Sequence, residues 1–150
     1  YDEAIDDAMV KEAAEYVGLN EIIHKFDDGY DHMVLERGNN FSSGERQLIS
    51  FARAVVYKPT LMILDEATAN IDSETEAIIQ NSLEKMMNVS TMLIVAHRLS
   101  TIQHADKIIV MQKGEIKEMG NHQALLKEKG LYYHLYQLQF DQENKEREGA

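Results

Sequence analysis

The sequence of 150 residues contains no cysteine and a single proline. The absence of cysteine excludes disulfides and thiolate metal sites, and it fits a reducing compartment without proving one. No apolar run approaches the roughly 20 residues that a membrane-spanning helix needs. The start of the chain has neither the basic flank nor the apolar core of a signal peptide. We therefore predict a chain that neither crosses a membrane nor is exported by itself.

Basic residues are scarce relative to acidic ones, with 15 Lys and Arg against 26 Asp and Glu and a formal net charge of −11. Such a charge repels phosphate backbones and anionic membrane surfaces alike. The composition therefore argues against nucleic-acid binding through a basic patch. Because 44% of the residues are hydrophobic, the chain can bury a core of ordinary size, and we predict one domain or a large piece of one.

The hydrophobic pattern predicts an α/β chain. Periodicity of the helical kind predicts helices over residues 2–17, 19–26, 43–57, 73–87, 122–129 and 131–140. Short apolar runs predict two buried strands of a parallel sheet, at 61–64 and 91–95, and a hairpin that pairs 108–111 with 115–118. Two parallel strands and a hairpin make an incomplete sheet, so we expect that something N-terminal is missing.

Two acids close the first predicted strand, Asp65 and Glu66. An aspartate at the tip of a buried strand can hold Mg²⁺ through water, and an adjacent carboxylate can polarise a hydrolytic water. The alternative is a core strand that ends in solvated acids. The strand alone favours neither interpretation over the other.

Small residues open the third predicted helix, at Ser42, Ser43 and Gly44. A helix start of this kind can leave backbone N–H groups free and directed outward, where an anion such as a terminal phosphate is stabilised. Serine and glycine at such a position are more often ordinary helix caps. The position of this helix just before the acidic strand favours the functional interpretation.

The segment FSSGERQLISFARAVVYKPTLMILDEATANID resembles the signature-to-D-loop region of ABC ATPases. The segment AHRLSTIQHADKIIVMQKGEIKEMGNHQALL resembles the histidine-switch region of the same family together with the stretch C-terminal to it. The likeness covers about residues 30–140 and includes three motifs in the family's order. Within the family, residues 35–38 (LERG) resemble the short X-loop of multidrug and lipid-flippase exporters.

The resemblance implies an incomplete P-loop NTPase-type parallel sheet flanked by helices, together with the α-helical subdomain of ABC proteins. Residues 1–57 would form the helical subdomain with the X-loop and signature helix, and residues 58–140 the C-terminal part of the ATPase core. Residues 141–150 lack a hydrophobic anchor and are expected to be a disordered tail. The ligands would be ATP and Mg²⁺.

The resemblance also assigns roles to single residues. Asp65 matches the Walker B magnesium ligand, Glu66 the general base on the attacking water, and His97 the switch histidine that contacts the γ-phosphate. Asp72 matches the D-loop, which runs along the dimer interface. The other histidines are expected to be structural: His24, His32, His104, His122 and His134.

The signature itself departs from the family pattern. The chain has Ser42, Ser43, Gly44 and Glu45 after Phe41, where the family has Leu-Ser-Gly-Gly-Gln. Such a signature covers ATP bound to the opposite subunit. The Ser43 side chain occupies space where backbone approaches phosphate, and the acid of Glu45 near a polyanion could cost on the order of 1 kcal/mol. In heterodimeric exporters a subunit that keeps its Walker B glutamate often carries the altered signature, so we predict a non-identical partner.

A second departure is the absence of any Gly-x-x-x-x-Gly-Lys-(Ser/Thr) segment, the loop that holds the β- and γ-phosphates. The isolated chain is therefore expected neither to bind ATP tightly nor to hydrolyse it.

The resemblance implies part of an ATP-hydrolysing domain of an ABC exporter, at the cytoplasmic face of the cell membrane. Its partners would be a second nucleotide-binding domain and transmembrane domains, the latter contacted through Glu36 and Arg37. One alternative is a non-transport ABC ATPase, which coiled-coil heptads or basic arms would favour, and neither occurs. A second alternative is a non-catalytic interaction domain that keeps the fold as a scaffold.

Overall fold

A computed structural model describes residues 4–65, 71, 73–96 and 98–148 of the chain. The chain forms two compact units, residues 1–95 and residues 96–150. The resemblance divides the chain after residues 57 and 140 according to the roles of its motifs. The compact units are defined by contacts instead, so that division stays a prediction.

The first unit contains four α-helices and two strands among its described residues. In chain order they are α1 (Asp7–Tyr16), α2 (Asn20–Ile23), α3 (Ser43–Val55), β1 (Leu61–Asp65), α4 (Ser73–Met87) and β2 (Thr91–Val95). All six occur where the hydrophobic pattern predicts them. Helix α1 begins later than predicted because the side chain of Asp6 accepts from the backbone N–H of Met9 at 2.8 Å and caps it. It ends before Gly18, whose φ of +70° a helix does not allow.

The strands β1 and β2 are parallel neighbours, with Leu61 opposite Thr91 and Asp65 opposite Val95. This confirms the predicted parallel pairing. The prediction that these strands are buried on both faces is wrong for the described residues. Met62 is 8% exposed, whereas Ile63 on the other face is 70% exposed. Successive side chains of a strand point to opposite faces, and the described helices cover one face of this two-stranded sheet.

The core of the first unit lies between that covered face and the helices. Its buried residues are Ala14, Val17, Leu19, Ile22, Leu48, Phe51, Met62, Ile79, Leu83 and Met86. One polar side chain, Ser82, is 3% exposed within the same region. Its Oγ lies 2.6 Å from the carbonyl oxygen of Val17, at the end of α1, and 2.7 Å from that of Ile78. The hydroxyl thus links α4 to the end of α1.

The described residues of the second unit form a hairpin and three helices. They are α5 (Leu99–Ile102), β3 (Ile108–Gln112), β4 (Glu115–Gly120), α6 (His122–Glu128) and α7 (Leu131–Glu148). The antiparallel hairpin is the predicted one. Its turn residues Lys113 and Gly114 have φ values of +54° and +79°, as a tight turn that matches the twist of the strands requires.

The core of the second unit consists of Ile108, Val110, Leu125 and Tyr132. The carboxylate of Glu118 accepts from the backbone N–H groups of Leu131 and Tyr132, and so caps the start of α7 from the neighbouring strand. This long-range cap defines where α7 begins.

Helix α7 continues to Glu148, and the expected disorder of residues 141–150 stays a prediction. The glutamine, glutamate, lysine and arginine of this stretch favour helix even without a hydrophobic anchor. None of the helices in the described part of the chain combines the length and the apolar character that crossing a bilayer requires.

We expect Ser82→Ala to lower the free energy of unfolding by about 1–3 kcal/mol, because the buried Val17 carbonyl loses its donor. Ser50→Ala is the matched control, since the Ser50 hydroxyl bonds the Arg46 carbonyl at 2.9 Å within one helix and is exposed. The control should change stability by less than about 0.5 kcal/mol. Urea denaturation of both variants checks this, and equal effects would contradict the linking role of Ser82.

Candidate functional site

The carboxyl ends of β1 and β2 lie side by side, and the predicted catalytic residues closely follow these strand ends in the sequence. Asp65 ends β1, is exposed, and lies opposite Val95 in the parallel register. Glu66 follows Asp65 directly, and His97 comes two residues after Val95. Glu66, Asp72 and His97 lie outside the described residues, so their assigned roles stay predictions. The register brings together the two strand ends that those roles require.

Asp65 is the one predicted metal ligand that the structure describes. Within the described ranges no group of three or more histidine, aspartate or glutamate side chains could hold a metal ion. A single exposed carboxylate nevertheless suits Mg²⁺, which keeps several waters and is usually bound through one or two carboxylates and substrate phosphates. Asp65 could therefore supply one ligand to a magnesium ion whose other ligands are waters and the phosphates of a bound nucleotide.

The start of α3 is closed by a reciprocal pair of hydrogen bonds. The hydroxyl of Ser42 accepts from the backbone N–H of Glu45 at 3.1 Å, and the carboxylate of Glu45 accepts from the backbone N–H of Ser42 at 2.7 Å. This is a capping box. Two backbone N–H groups at this helix start, those of Ser42 and Glu45, are therefore bound by side chains of the same segment. The predicted approach of a phosphate to this helix stays a prediction.

Gly44 is buried because α3 and the beginning of α4 approach closely at this residue. A Cβ added to Gly44 would lie 2.3 Å from Thr75 Cγ2 and 3.1 Å from Ile71 Cγ2. Sequence reasoning gave Gly44 a role in phosphate approach and missed this packing role. Nothing in the local sequence could have shown it, because Thr75 lies 31 positions away along the chain.

The loop before α3 is held by the side chain of Asn40. Its Oδ1 accepts from the backbone N–H of Leu35 at 3.1 Å, and its Nδ2 donates to the carbonyl oxygen of Met33 at 2.9 Å. Asn40 was not singled out from the sequence. The tendency of asparagine side chains in loops to bond nearby backbone is the signal that could have found it.

The residues predicted to contact transmembrane domains, Glu36 and Arg37, are exposed and lie on a short 3₁₀ turn (Glu36–Gly38). Arg37 has a φ of +57°, an uncommon conformation for a residue with a side chain. The preceding apolar residues Met33, Val34 and Leu35 are 71%, 62% and 55% exposed. The structure therefore presents this whole stretch to solvent.

Among the residues that the structure describes, two tyrosines have shifted pKa values, and neither belongs to the predicted set. Burial, and to a smaller extent the Glu15 carboxylate, raises the pKa of Tyr30. Burial, with a contribution from Tyr136, raises the pKa of Tyr132. Both shifts reflect packing of a phenol rather than a catalytic environment.

Comparison with known proteins finds similarity to ABC transporters. The family model described as ABC transporter matches residues 2–69. A probable multidrug resistance ABC transporter ATP-binding/permease protein, YheH of Bacillus subtilis, is 48% identical over 143 residues, which cover 95% of this chain and 21% of YheH. An ATP-dependent lipid A-core flippase of Syntrophus aciditrophicus is 47% identical over 132 residues, covering 88% of this chain and 22% of the flippase.

A solved structure of a bacterial Atm1-family ABC exporter with ATP bound matches with a TM-score of 0.80 and 36% identity. The match covers 91% of this chain and 24% of that one, and it confirms the predicted α/β fold of the family. The chain thus spans about a fifth to a quarter of the length of these relatives.

Substituting Gly44 tests the contact between α3 and α4. Gly44→Ala should lower the free energy of unfolding by about 1–3 kcal/mol, because the added methyl group overlaps Thr75. In Gly120→Ala the nearest contact of the new Cβ is Leu125 at 3.4 Å, so this control should be near neutral. Thermal and urea denaturation measure both, and a neutral Gly44→Ala would refute the close approach.

Proposed function

Because the chain belongs to the ABC transporter family, as part of an ATP-binding domain of the exporter type, we propose that it takes part in ATP hydrolysis that drives transport across a membrane. The observation that carries this proposal is the parallel register of β1 with β2, which brings the strand ends before Glu66 and His97 to one edge. A shared edge of this kind is where sheets of this class bind their ligands.

Asp65, Glu66 and His97 would each have a separate role in the reaction. Glu66 accepts a proton from the attacking water, and the imidazole of His97 contacts the γ-phosphate and helps to position that water. Asp65 would hold Mg²⁺, and the ion would supply positive charge next to the phosphate oxygens. Positioning and electrostatic stabilisation then supply most of the rate enhancement.

A second nucleotide-binding domain would complete the site. Ser42, Ser43, Gly44 and Glu45 would cover ATP bound to that partner, while Asp72 would lie along the interface between the two domains. The capping box supports an altered signature, because the Glu45 carboxylate occupies the positive end of α3 where a phosphate would otherwise be stabilised. We infer that the partner is non-identical and has a replaced acid after its own Walker B strand.

Transmembrane domains would be contacted through Glu36 and Arg37, whose exposure leaves both side chains accessible to a partner. This contact would locate the chain at the cytoplasmic face of the membrane, as part of an integral membrane transporter. The isolated chain would be inactive, because it lacks the Gly-x-x-x-x-Gly-Lys-(Ser/Thr) loop.

The central test is Glu66→Gln in the full-length protein. Replacing the base by an isosteric amide should lower the ATPase rate by about 100-fold or more, while ATP still binds. Steady-state phosphate release measures this. Glu21→Gln, an exposed acid on α2, is the control and should leave the rate unchanged. Unchanged activity in Glu66→Gln would instead favour the non-catalytic interaction domain.

A second test concerns the acid in the signature. Glu45→Gln keeps an oxygen that can accept from the Ser42 N–H, so the capping box is preserved while the charge is removed. If that charge costs on the order of 1 kcal/mol, binding of the ATP analogue AMP-PNP should tighten about fivefold. Calorimetry on the full-length protein measures the affinity. Unchanged or weaker binding would show that Glu45 does not oppose the nucleotide.

A further inference from the structure

The loop between α2 and α3 contains a hydrogen-bonded chain that starts at Asp28 and ends beside the signature. His32 Nδ1 lies 2.7 Å from an oxygen of Asp28, and His32 Nε2 lies 3.2 Å from Asn40 Nδ2. Asn40 in turn bonds the backbone of Met33 and Leu35. The two anchored backbone groups flank Val34, so the residues 33–35 form a short exposed segment, here called the anchored segment.

The two backbone bonds determine the orientation of the Asn40 amide. Its oxygen must face the Leu35 N–H and its nitrogen the Met33 carbonyl, because the reverse orientation would lose both bonds. The nitrogen facing His32 is therefore a donor. His32 Nε2 must accept that hydrogen, which leaves the proton of the neutral ring on Nδ1, directed at Asp28.

Aromatic packing also holds the His32 ring in place. The rings of Phe26 and His32 are stacked with centroids 4.0 Å apart, and Phe41 meets both edge-on at 5.5 and 5.8 Å. Phe41 directly precedes Ser42, which caps α3. A displacement of Ser42 would therefore shift Phe41, whose ring packs against His32. His32 would pass the shift to Asn40 through their hydrogen bond.

We propose that Asn40 is a positioning residue that couples the anchored segment to the signature at Ser42, and that His32 holds Asn40 by accepting through Nε2. This inference rests on the proposed function, in which the signature meets nucleotide and the adjacent residues Glu36 and Arg37 meet transmembrane domains. The Asn40 amide then connects the segment next to the proposed transmembrane contact with the signature next to the proposed nucleotide. When Ser42 moves on binding nucleotide, the anchored segment moves with it.

The absence of cysteine from the chain allows a direct experiment on the full-length protein, in a background without other reactive cysteines. Val34→Cys places a thiol between the two anchored backbone groups. We expect its maleimide labelling rate to change about fivefold or more on addition of AMP-PNP with Mg²⁺, the size of a typical coupling between sites. Adding Asn40→Ala should abolish this change and raise the labelling rate without nucleotide.

Asn39→Ala is the matched control, because Asn39 is the adjacent residue of the same type and its side chain is exposed. It should keep the full nucleotide response. Two substitutions of His32 separate hydrogen bonding from ring packing. His32→Gln keeps an acceptor toward Asn40 and should keep the response, whereas His32→Phe keeps the ring stacked on Phe26 and should lose it.

AMP-PNP binding, measured by calorimetry on the same proteins, distinguishes this inference from the proposed function. An Asn40→Ala protein that binds AMP-PNP with the parent's affinity yet shows no response is the expected result. A normal response in Asn40→Ala, or a loss of binding in it, would overturn the positioning role. A response kept by His32→Phe and lost by His32→Gln would overturn the role of Nε2. Failure of the parent to bind AMP-PNP would overturn the proposed function.

Discussion

The parallel pairing of β1 with β2 is the interaction on which the candidate site depends. Parallel ladders bring the carboxyl ends of both strands to one edge, here with Asp65 opposite Val95. The pair keeps its position because Met62 packs on one face into the core formed with Leu48 and Leu83. The position of this strand end is therefore supported by the burial of Met62 within the same strand.

The beginning of α3 combines a close contact with α4 and a capped helix start. Gly44 allows the helix to lie against α4 at a distance that a side chain would prevent, while Ser42 and Glu45 satisfy each other's backbone donors. An ABC signature usually has glutamine where Glu45 stands, and an acid can close the same box while adding a charge. The altered signature is thus compatible with a stable helix start.

The loop before α3 derives its order from side chains rather than from regular backbone pairing. The amide of Asn40 replaces the hydrogen bonds that a strand or helix would have provided to Met33 and Leu35, and His32 limits how that amide can turn. Exposed apolar residues can be presented on such a loop because their backbone is held independently of their side chains. The backbone of this loop is thus held in place while its apolar side chains stay exposed.

The sequence by itself determined the elements and the family, because periodicity, turn residues and motif order are local properties of the chain. The segments β2 and α4 begin and end where the pattern predicts, and the motif string around Asp65 was enough to identify the family. Tertiary structure alone decided that one face of β1 is exposed, that Gly44 meets Thr75, and that Asn40 anchors a loop. Such contacts join residues distant in sequence or depend on the rotation of one side chain, and neither is recorded in the spacing of apolar and polar residues.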